Sequence, residues 1–387
     1  MPSLTDTLAA TLGDIEARGH LRTLTPTRLL GGGRLQRGEC EVIDFSSNDY
    51  LGLARHPLLI ERAREWAAEM GAGSGASRLV TGSSPRHLSV EEKVARFKRA
   101  EAALIYSTGW QANAGVISAL AKAVPGLALF TDELIHASMH QGYRAARVTP
   151  HRFAHNDPDA LDTALTEHGR GAPARLILVE SVYSMDGDRA DLPRIAEIAR
   201  AHDAWLFVDE AHATGVLGPH GSGLTAELPE GVDVVMGTFS KAMGGSGAYV
   251  AGSKVLCDYL VNRCAGFVFS TAPPPAVLGA IDAALELVPT MDNERAHLAA
   301  LGDRLRTRLQ AMGCQTGNSS THIVPAIVGD PHETVALSRA LEARGFLGWP
   351  YRPPTVPEGT SRIRFALRST LGEADIDALA DTLARLA

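Results

Sequence analysis

Two short segments of this 387-residue chain combine residue types that can share one chemical task. Val208-Asp209-Glu210-Ala211-His212 follows the apolar run Trp205–Val208, and Thr238-Phe-Ser-Lys241-Ala-Met-Gly-Gly245 follows Val232–Met236. In an α/β protein such runs read as buried parallel strands. Asp209 and Lys241 would then project from the carboxyl ends of strands, where open α/β sheets bind ligands. A lysine facing such an aspartate suggests pyridoxal phosphate (PLP): the lysine forms a Schiff base with it and the carboxylate partners its pyridinium nitrogen. The bland alternatives are a solvated loop lysine and a magnesium site of a nucleotide hydrolase. The latter needs a Gly-x-x-x-x-Gly-Lys-Ser/Thr loop, and the sequence has none.

Other segments bear on the same site. Ala102–Tyr106 runs into Ser107-Thr108-Gly109-Trp110 and then a helical stretch from Gln111. A helix N-terminus after a tight Gly turn presents free N–H groups and a positive dipole end, which suit a phosphate; an ordinary strand-to-helix turn is the alternative. Thr238 and Ser240 could add hydroxyl donors. His136 and His140 are one helical turn apart, but residues 137–139 are Ala-Ser-Met, not the pattern of a His-Glu-x-x-His zinc site. No metal is expected. His136 is either an ordinary surface or core histidine or a flat cover for a PLP ring. Gly71, Gly73 and Gly75 follow a helix, not a strand, so they read as flexible backbone near a substrate or as a hinge and not as a dinucleotide loop.

The elements that must position these residues follow from periodicity. Leu4, Leu8, Leu12 and Ile15 predict an amphipathic helix within residues 1–23. A Gly31–Gly33 turn precedes a strand over Cys40–Phe45, and Pro57–Met70 reads as a helix. Strands are expected at Ala102–Tyr106, Leu127–Phe130, Leu176–Val179, Trp205–Val208, Val232–Met236 and Ala248–Ala251, with a helix over Asp191–His202 forming a right-handed βαβ unit. After Pro273–Pro275 a long helical segment (277–311) leads to strands near 321–328 and 361–367 and helices near 333–345 and 372–386. The expected fold is α/β: a large, mostly parallel sheet with helices on both faces plus a smaller C-terminal α/β domain. The expected divisions are an N-terminal segment 1–45, a large domain 46–275 and a small domain 276–387.

Composition narrows the function classes. The net charge of −7 argues against a general nucleic-acid surface. Four cysteines without C-x-x-C pairing predict reduced thiols in a cytoplasmic protein. No secretory signal and no apolar run of membrane-spanning length is visible.

Taken together, Phe45-Ser-Ser-Asn-Asp-Tyr-Leu-Gly-Leu53, Gly73-Ser-Gly75, Phe153-Ala-His-Asn-Asp157, Ser181-Val-Tyr-Ser-Met-Asp-Gly-Asp188, Asp209-Glu-Ala-His212, Thr238-Phe-Ser-Lys241 and Arg352-Pro-Pro-Thr-Val-Pro-Glu-Gly359 resemble the α-oxoamine synthases, PLP enzymes of fold type I. The resemblance spans nearly the whole chain. Arg352–Thr355 and Phe153–Asp157 point to the oxononanoate-forming branch. The resemblance implies an acyltransferase of biotin biosynthesis that condenses L-alanine with a pimeloyl thioester, with glycine C-acetyltransferase chemistry as the nearest alternative. It implies that Lys241 carries PLP, that Asp209 pairs with the ring nitrogen, and that His212 and Ser184 approach the phenolate oxygen. His136 would stack on the ring, with Gly109, Trp110 and Thr238 near the phosphate or ring. It implies Arg364, with Arg362 as a near neighbour, for the amino-acid carboxylate, and Arg22, Asn48, Arg352 and Thr355 on the substrate side. Ser270 and Thr271 match a stretch that crosses between subunits, which implies a homodimer. Glu210 stands where relatives often have a second Asp, and alternation should turn it away from the ring.

Overall fold

Along Leu176–Val179 successive side chains enter different cores. Leu176 and Leu178 pack with Val116, Leu120 and Phe207, whereas Ile177 and Val179 pack with Leu161, Ile195 and Val208. A strand covered on both faces must be apolar at every position, which is why these runs lack polar alternation. The computed structural model describes residues 2–386 except Pro229.

Seven strands form the large sheet: β1 (Ala102–Tyr106), β2 (Ala128–Asp132), β3 (His151–Phe153), β4 (Arg175–Glu180), β5 (Trp205–Asp209), β6 (Val234–Thr238) and β7 (Ala248–Gly252). Their order is β1-β7-β6-β5-β4-β2-β3. β7 is antiparallel to both neighbours, and the other pairs are parallel. Six of these strands stand where the apolar runs place them. β3 escapes sequence reading because it is three residues long and begins His-Arg. The apolar runs understate where β5 and β6 stop: Asp209 and Thr238 are their last residues.

Two other expectations need correction. The helical segment 277–311 is two helices, Pro275–Leu287 and Asp292–Ala311, separated by a turn over Val288–Thr290; Pro289 lacks the N–H that an uninterrupted helix would use. The N-terminal helix covers only Leu4–Ala17 and buries no residue, with Leu4 at 76% exposure. Among the described residues, no helix is long and apolar enough to cross a membrane.

The chain divides into two units. One holds Leu51–Ser184 and Arg189–Arg295 and contains the large sheet. The other holds the chain up to Tyr50, Met185–Asp188, and the chain from Ala296 onward. The N-terminal segment thus belongs with the C-terminal region. Within this second unit, strands Ile323–Gly329, Ser361–Ala366 and Trp349–Tyr351 form an antiparallel sheet, and the hairpin Thr27–Gly31/Arg34–Arg37 extends through Cys40–Asp44 to Phe346–Leu347. Gly187 (φ +70°) meets the Ile323 carbonyl so closely that any Cβ would clash, so the Met185–Asp188 loop requires glycine there.

Glu210 lies in the core of the sheet-bearing unit. Its side chain and that of Lys98 are fully buried and form an ion pair. Lys98 also donates to the Ser222 carbonyl, and Glu210 accepts from Thr225 N (2.9 Å) and Thr225 Oγ1 (2.7 Å). The pair therefore pins the loop that leaves β5 just after Asp209. Removing one partner of a buried pair strands the other charge, so Glu210→Gln should lower stability by about 3–5 kcal/mol. Urea unfolding should show that loss and its substantial recovery in Glu210→Gln/Lys98→Met.

His87 ties the helix Pro85–Lys98 to the segment that carries Ser270 and Thr271. Its Nδ1 accepts from Ser84 N (3.2 Å) and its Nε2–H donates to the Pro273 carbonyl (3.1 Å), a neutral ring with both nitrogens satisfied. Burial, aided by the Arg78 charge, lowers its pKa from 6.5 to about 4. Between those values the unfolded chain takes up a proton that the folded chain refuses. Stability is therefore intact above the ordinary value and falls as pH drops, by about 1.4 kcal/mol per unit, until the folded pKa is passed. Urea unfolding across this range should show that slope, and His87→Gln should flatten it.

Candidate active site

The carboxyl ends of β4, β5 and β6 bring the catalytic residue types together in the sheet-bearing unit. Asp209 is only 4% exposed. Its Oδ2 accepts from Asn113 Nδ2 (2.7 Å) and its Oδ1 from Ala211 N (2.8 Å). A buried carboxylate persists as a charge only with such donors. Lys241 Nζ lies 2.8 Å from His212 Nε2. His212, Ser184 and Thr238 are buried in the same unit.

The helix Gly109–Ala123 begins directly after β1 and a short turn, with Thr108 as N-cap accepting from Gln111 N (3.1 Å). That cap leaves the first N–H groups, those of Gly109 and Trp110, without intrahelical acceptors. A Cβ on Gly109 would stand 2.7 Å from Thr238 Cγ2, so glycine lets the helix start close to β6. Thr238 Oγ1 is buried with no hydrogen-bond partner among the described residues. An orphaned hydroxyl beside a helix N-terminus is a fitting place for a phosphate. With Lys241 and Asp209, these features fit PLP.

His136 N-caps the helix Ala137–Ala145, and its Nδ1 contacts Ser138 Oγ at 2.7 Å. Ser138 Oγ in turn accepts from Asn113 Nδ2 at 3.0 Å, so one chain of hydrogen bonds joins His136 to Asp209. His136 is an exposed residue, yet the surrounding protein desolvates the ring and lowers its pKa, with Asp209 opposing and Lys241 adding to the shift. The Trp110 ring stands edge-on, 6.3 Å from it. His140 is occupied by Tyr143 Oη (2.5 Å) and the Ile135 carbonyl (3.1 Å). Ser270 is half-buried and Thr271 exposed, beside the bridge Ser77↔Thr271.

The second unit holds the arginines. Arg364 is 1% exposed and donates to Asn48 Oδ1 (3.2 Å from both terminal nitrogens), Tyr50 Oη (3.3 Å) and Tyr351 Oη (3.5 Å). Burial pushes the Tyr50 phenol up to about 12 against the opposing pull of Arg364, so its hydroxyl stays neutral. Arg362 is tied to Asp186 at 2.5 Å, which separates two neighbours that spacing alone leaves ambiguous. Arg22 donates to Thr355 Oγ1 (3.3 Å). Arg352 is buried and donates to the carbonyls of Gly19 (2.7 Å) and Leu21 (3.4 Å); it fixes the segment that carries Arg22.

Sequence reasoning missed Asn113, Ser138 and Glu180. Asn113 is the one polar residue among the buried positions of the helix Gly109–Ala123, and a lone polar residue on an apolar face was its available signal. Glu180 is the last residue of β4 and aligns with Asp209 across the β4/β5 pair.

The chain matches the family described as aminotransferase class I and II over residues 40–383. A putative 8-amino-7-oxononanoate synthase of Bordetella bronchiseptica is 54% identical, covering 99% of this chain and 97% of that one. The 8-amino-7-oxononanoate synthase of Gluconacetobacter diazotrophicus is 53% identical over 96% of this chain and 94% of its own. Among solved structures, Sphingomonas wittichii serine palmitoyltransferase superimposes with a TM-score of 0.92 at 29% identity, covering 99% of this chain and 97% of that one. A serine palmitoyltransferase with PLP bound superimposes equally well, at 28% identity, covering 99% and 98%. The chain belongs to the aminotransferase class I and II family of PLP enzymes and, within it, to the 8-amino-7-oxononanoate synthases.

Proposed function

We propose that this protein joins L-alanine to a pimeloyl thioester, carried by coenzyme A or a carrier protein, to give 8-amino-7-oxononanoate, CO₂ and free thiol. The observation that carries this reading is the grouping of Lys241, His212 and buried Asp209 at adjoining strand ends. Relatives that bear the synthase name over nearly the whole chain support it.

PLP bound at Lys241 would supply an electron sink for the pair left when a Cα–H or Cα–carboxylate bond breaks. Asp209, held by Asn113 and Ala211 N, would keep the ring nitrogen of that group protonated. Lys241 Nζ would serve as the base that takes the Cα proton. The alanine Cα then bonds to the acyl carbon as the C–S bond breaks, and the departing thiolate takes a proton from water. Loss of CO₂ breaks the Cα–carboxylate bond, and the Lys241 ammonium returns a proton to Cα. His212, adjacent to Lys241 Nζ, orients that nitrogen. In this reading Arg364 binds the alanine carboxylate, and Arg22 with Thr355 lies along the acyl chain.

We also propose a homodimer. Phe269 is 85% exposed and Val80 73%. The Ser77↔Thr271 bridge pairs the segments that carry them, and large apolar side chains left exposed on paired segments are what a subunit interface would cover. Mixing inactive Lys241→Ala with an inactive Ser270 or Thr271 variant should restore some activity through hybrid dimers, whereas a fully active monomer in sedimentation would refute the arrangement.

Asp209→Asn should fold and lose activity. A charge-assisted hydrogen bond contributes about 1.5–3 kcal/mol net, so turnover should fall roughly ten- to a hundredfold or more. Borohydride should fix PLP on the Lys241 peptide, and Lys241→Ala should form no product by mass spectrometry. Normal turnover in Asp209→Asn would remove it from the ring nitrogen.

Specificity is the decisive comparison. About four extra methylenes in a pimeloyl chain supply roughly 3 kcal/mol, about a hundredfold, when buried. The ratio of kcat/KM for pimeloyl-CoA over acetyl-CoA with alanine should therefore be large. A higher value for acetyl-CoA with glycine would assign the chain glycine C-acetyltransferase chemistry and leave the Lys241 role intact.

A further inference from the structure

Three carboxyl groups are buried at the carboxyl ends of adjacent strands: Asp132 on β2, Glu180 on β4 and Asp209 on β5, at 0%, 2% and 4% exposure. Their hydrogen bonding differs. Asp132 receives donors from Leu134 N (2.8 Å), Asn156 N (2.7 Å), Tyr183 Oη (2.8 Å) and the His155 ring (3.0 Å). Asp209 receives Asn113 Nδ2 and Ala211 N. Glu180 Oε1 has no hydrogen-bond partner among the described residues.

The backbone N–H of His136 meets the Glu180 carboxyl, but a carboxylate with one oxygen left unsatisfied is expensive to keep ionised in the core, and two carboxyls on facing strand positions do not both ionise readily. We propose that Glu180 is a neutral carboxylic acid at the cofactor site, a positioning residue that leaves Asp209 as the one charged carboxyl of the pair. The groups that face it agree on balance. Burial and then Asp209 raise its pKa well above the usual range, with Asp132 adding to the rise, while Lys241 and the backbone N–H of His136 oppose it. The neutral state has two consequences. Only one negative charge faces the ring nitrogen, so the proton there is governed by Asp209. The Glu180 carboxyl also meets the backbone N–H of His136, the residue proposed to cover the ring, without adding charge beneath it.

The proposal rests on the PLP site and not on the identity of the acyl substrate, so its test does not use product formation as the primary readout. Holoenzyme carrying ¹³C-carboxyl glutamate is compared with unlabelled protein by infrared spectroscopy near neutral pH. A protonated-carboxyl band that shifts with the label is expected. The other buried glutamates, Glu91 and Glu210, are paired with Arg78 and Lys98, so the band belongs to Glu180. Glu180→Gln, which mimics the neutral acid, should lose the band and move the pH midpoint of the bound-PLP absorbance by less than about threefold in proton concentration. Absence of the labelled band in wild type overturns the proposal. So does a shift of about tenfold or more in Glu180→Gln, which is what removing a nearby charge would produce. If Glu180→Gln does not fold, the labelled wild-type spectrum decides alone.

Discussion

A carboxylate kept charged at the buried end of a central strand is the constraint around which this molecule is arranged. Asp209 ends β5, whose neighbours on both sides are parallel strands, so water cannot solvate it and protein donors must. Asn113 supplies one, and its own position depends on the helix Gly109–Ala123 starting close to Thr238. Its amide also reaches Ser138 and, through it, His136. Asp209, His136 and Thr238 are therefore all set by one helix and its glycine start.

The same constraint explains the charges behind the site. The loop after β5 leaves the sheet within a few residues of Asp209 and carries His212. A loop is ordinarily the mobile part of such a site. Here Glu210 and Lys98, with Thr225 and the Ser222 carbonyl, anchor it from within the core. The ion pair is costly to desolvate, and its use is geometric: it fixes where the residues on either side of Glu210 point.

Much of this was legible in the sequence because buried parallel strands are unbroken apolar runs, and the residues after them stand at a known edge of the sheet. Lys241, Asp209, His212 and Thr238 follow from that rule. The strand β3 was not legible, since His-Arg-Phe has no apolar run and pairs only along one edge. Asn113, Ser138 and Glu180 were hidden for another reason: each acts through a partner distant in sequence. Strand alternation locates the Glu210 side chain but does not reveal that Lys98, 112 residues earlier, meets it.

The arginines make the limit of spacing plain. Arg362 and Arg364 alternate identically on Ser361–Ala366, and no periodicity can rank them. Their surroundings do. Arg362 faces Asp186, delivered by a loop that turns at Gly187, so its charge is balanced by a fixed carboxylate. Arg364 donates to the Asn48 amide oxygen and to the Tyr50 and Tyr351 hydroxyls, which orient its guanidinium plane. Burial normally penalises a cation, but Tyr50 and Tyr351 keep Arg364 protonated. A guanidinium presents its donors in a fixed planar fork, so neighbours that set its plane also set the direction from which any further acceptor could meet it.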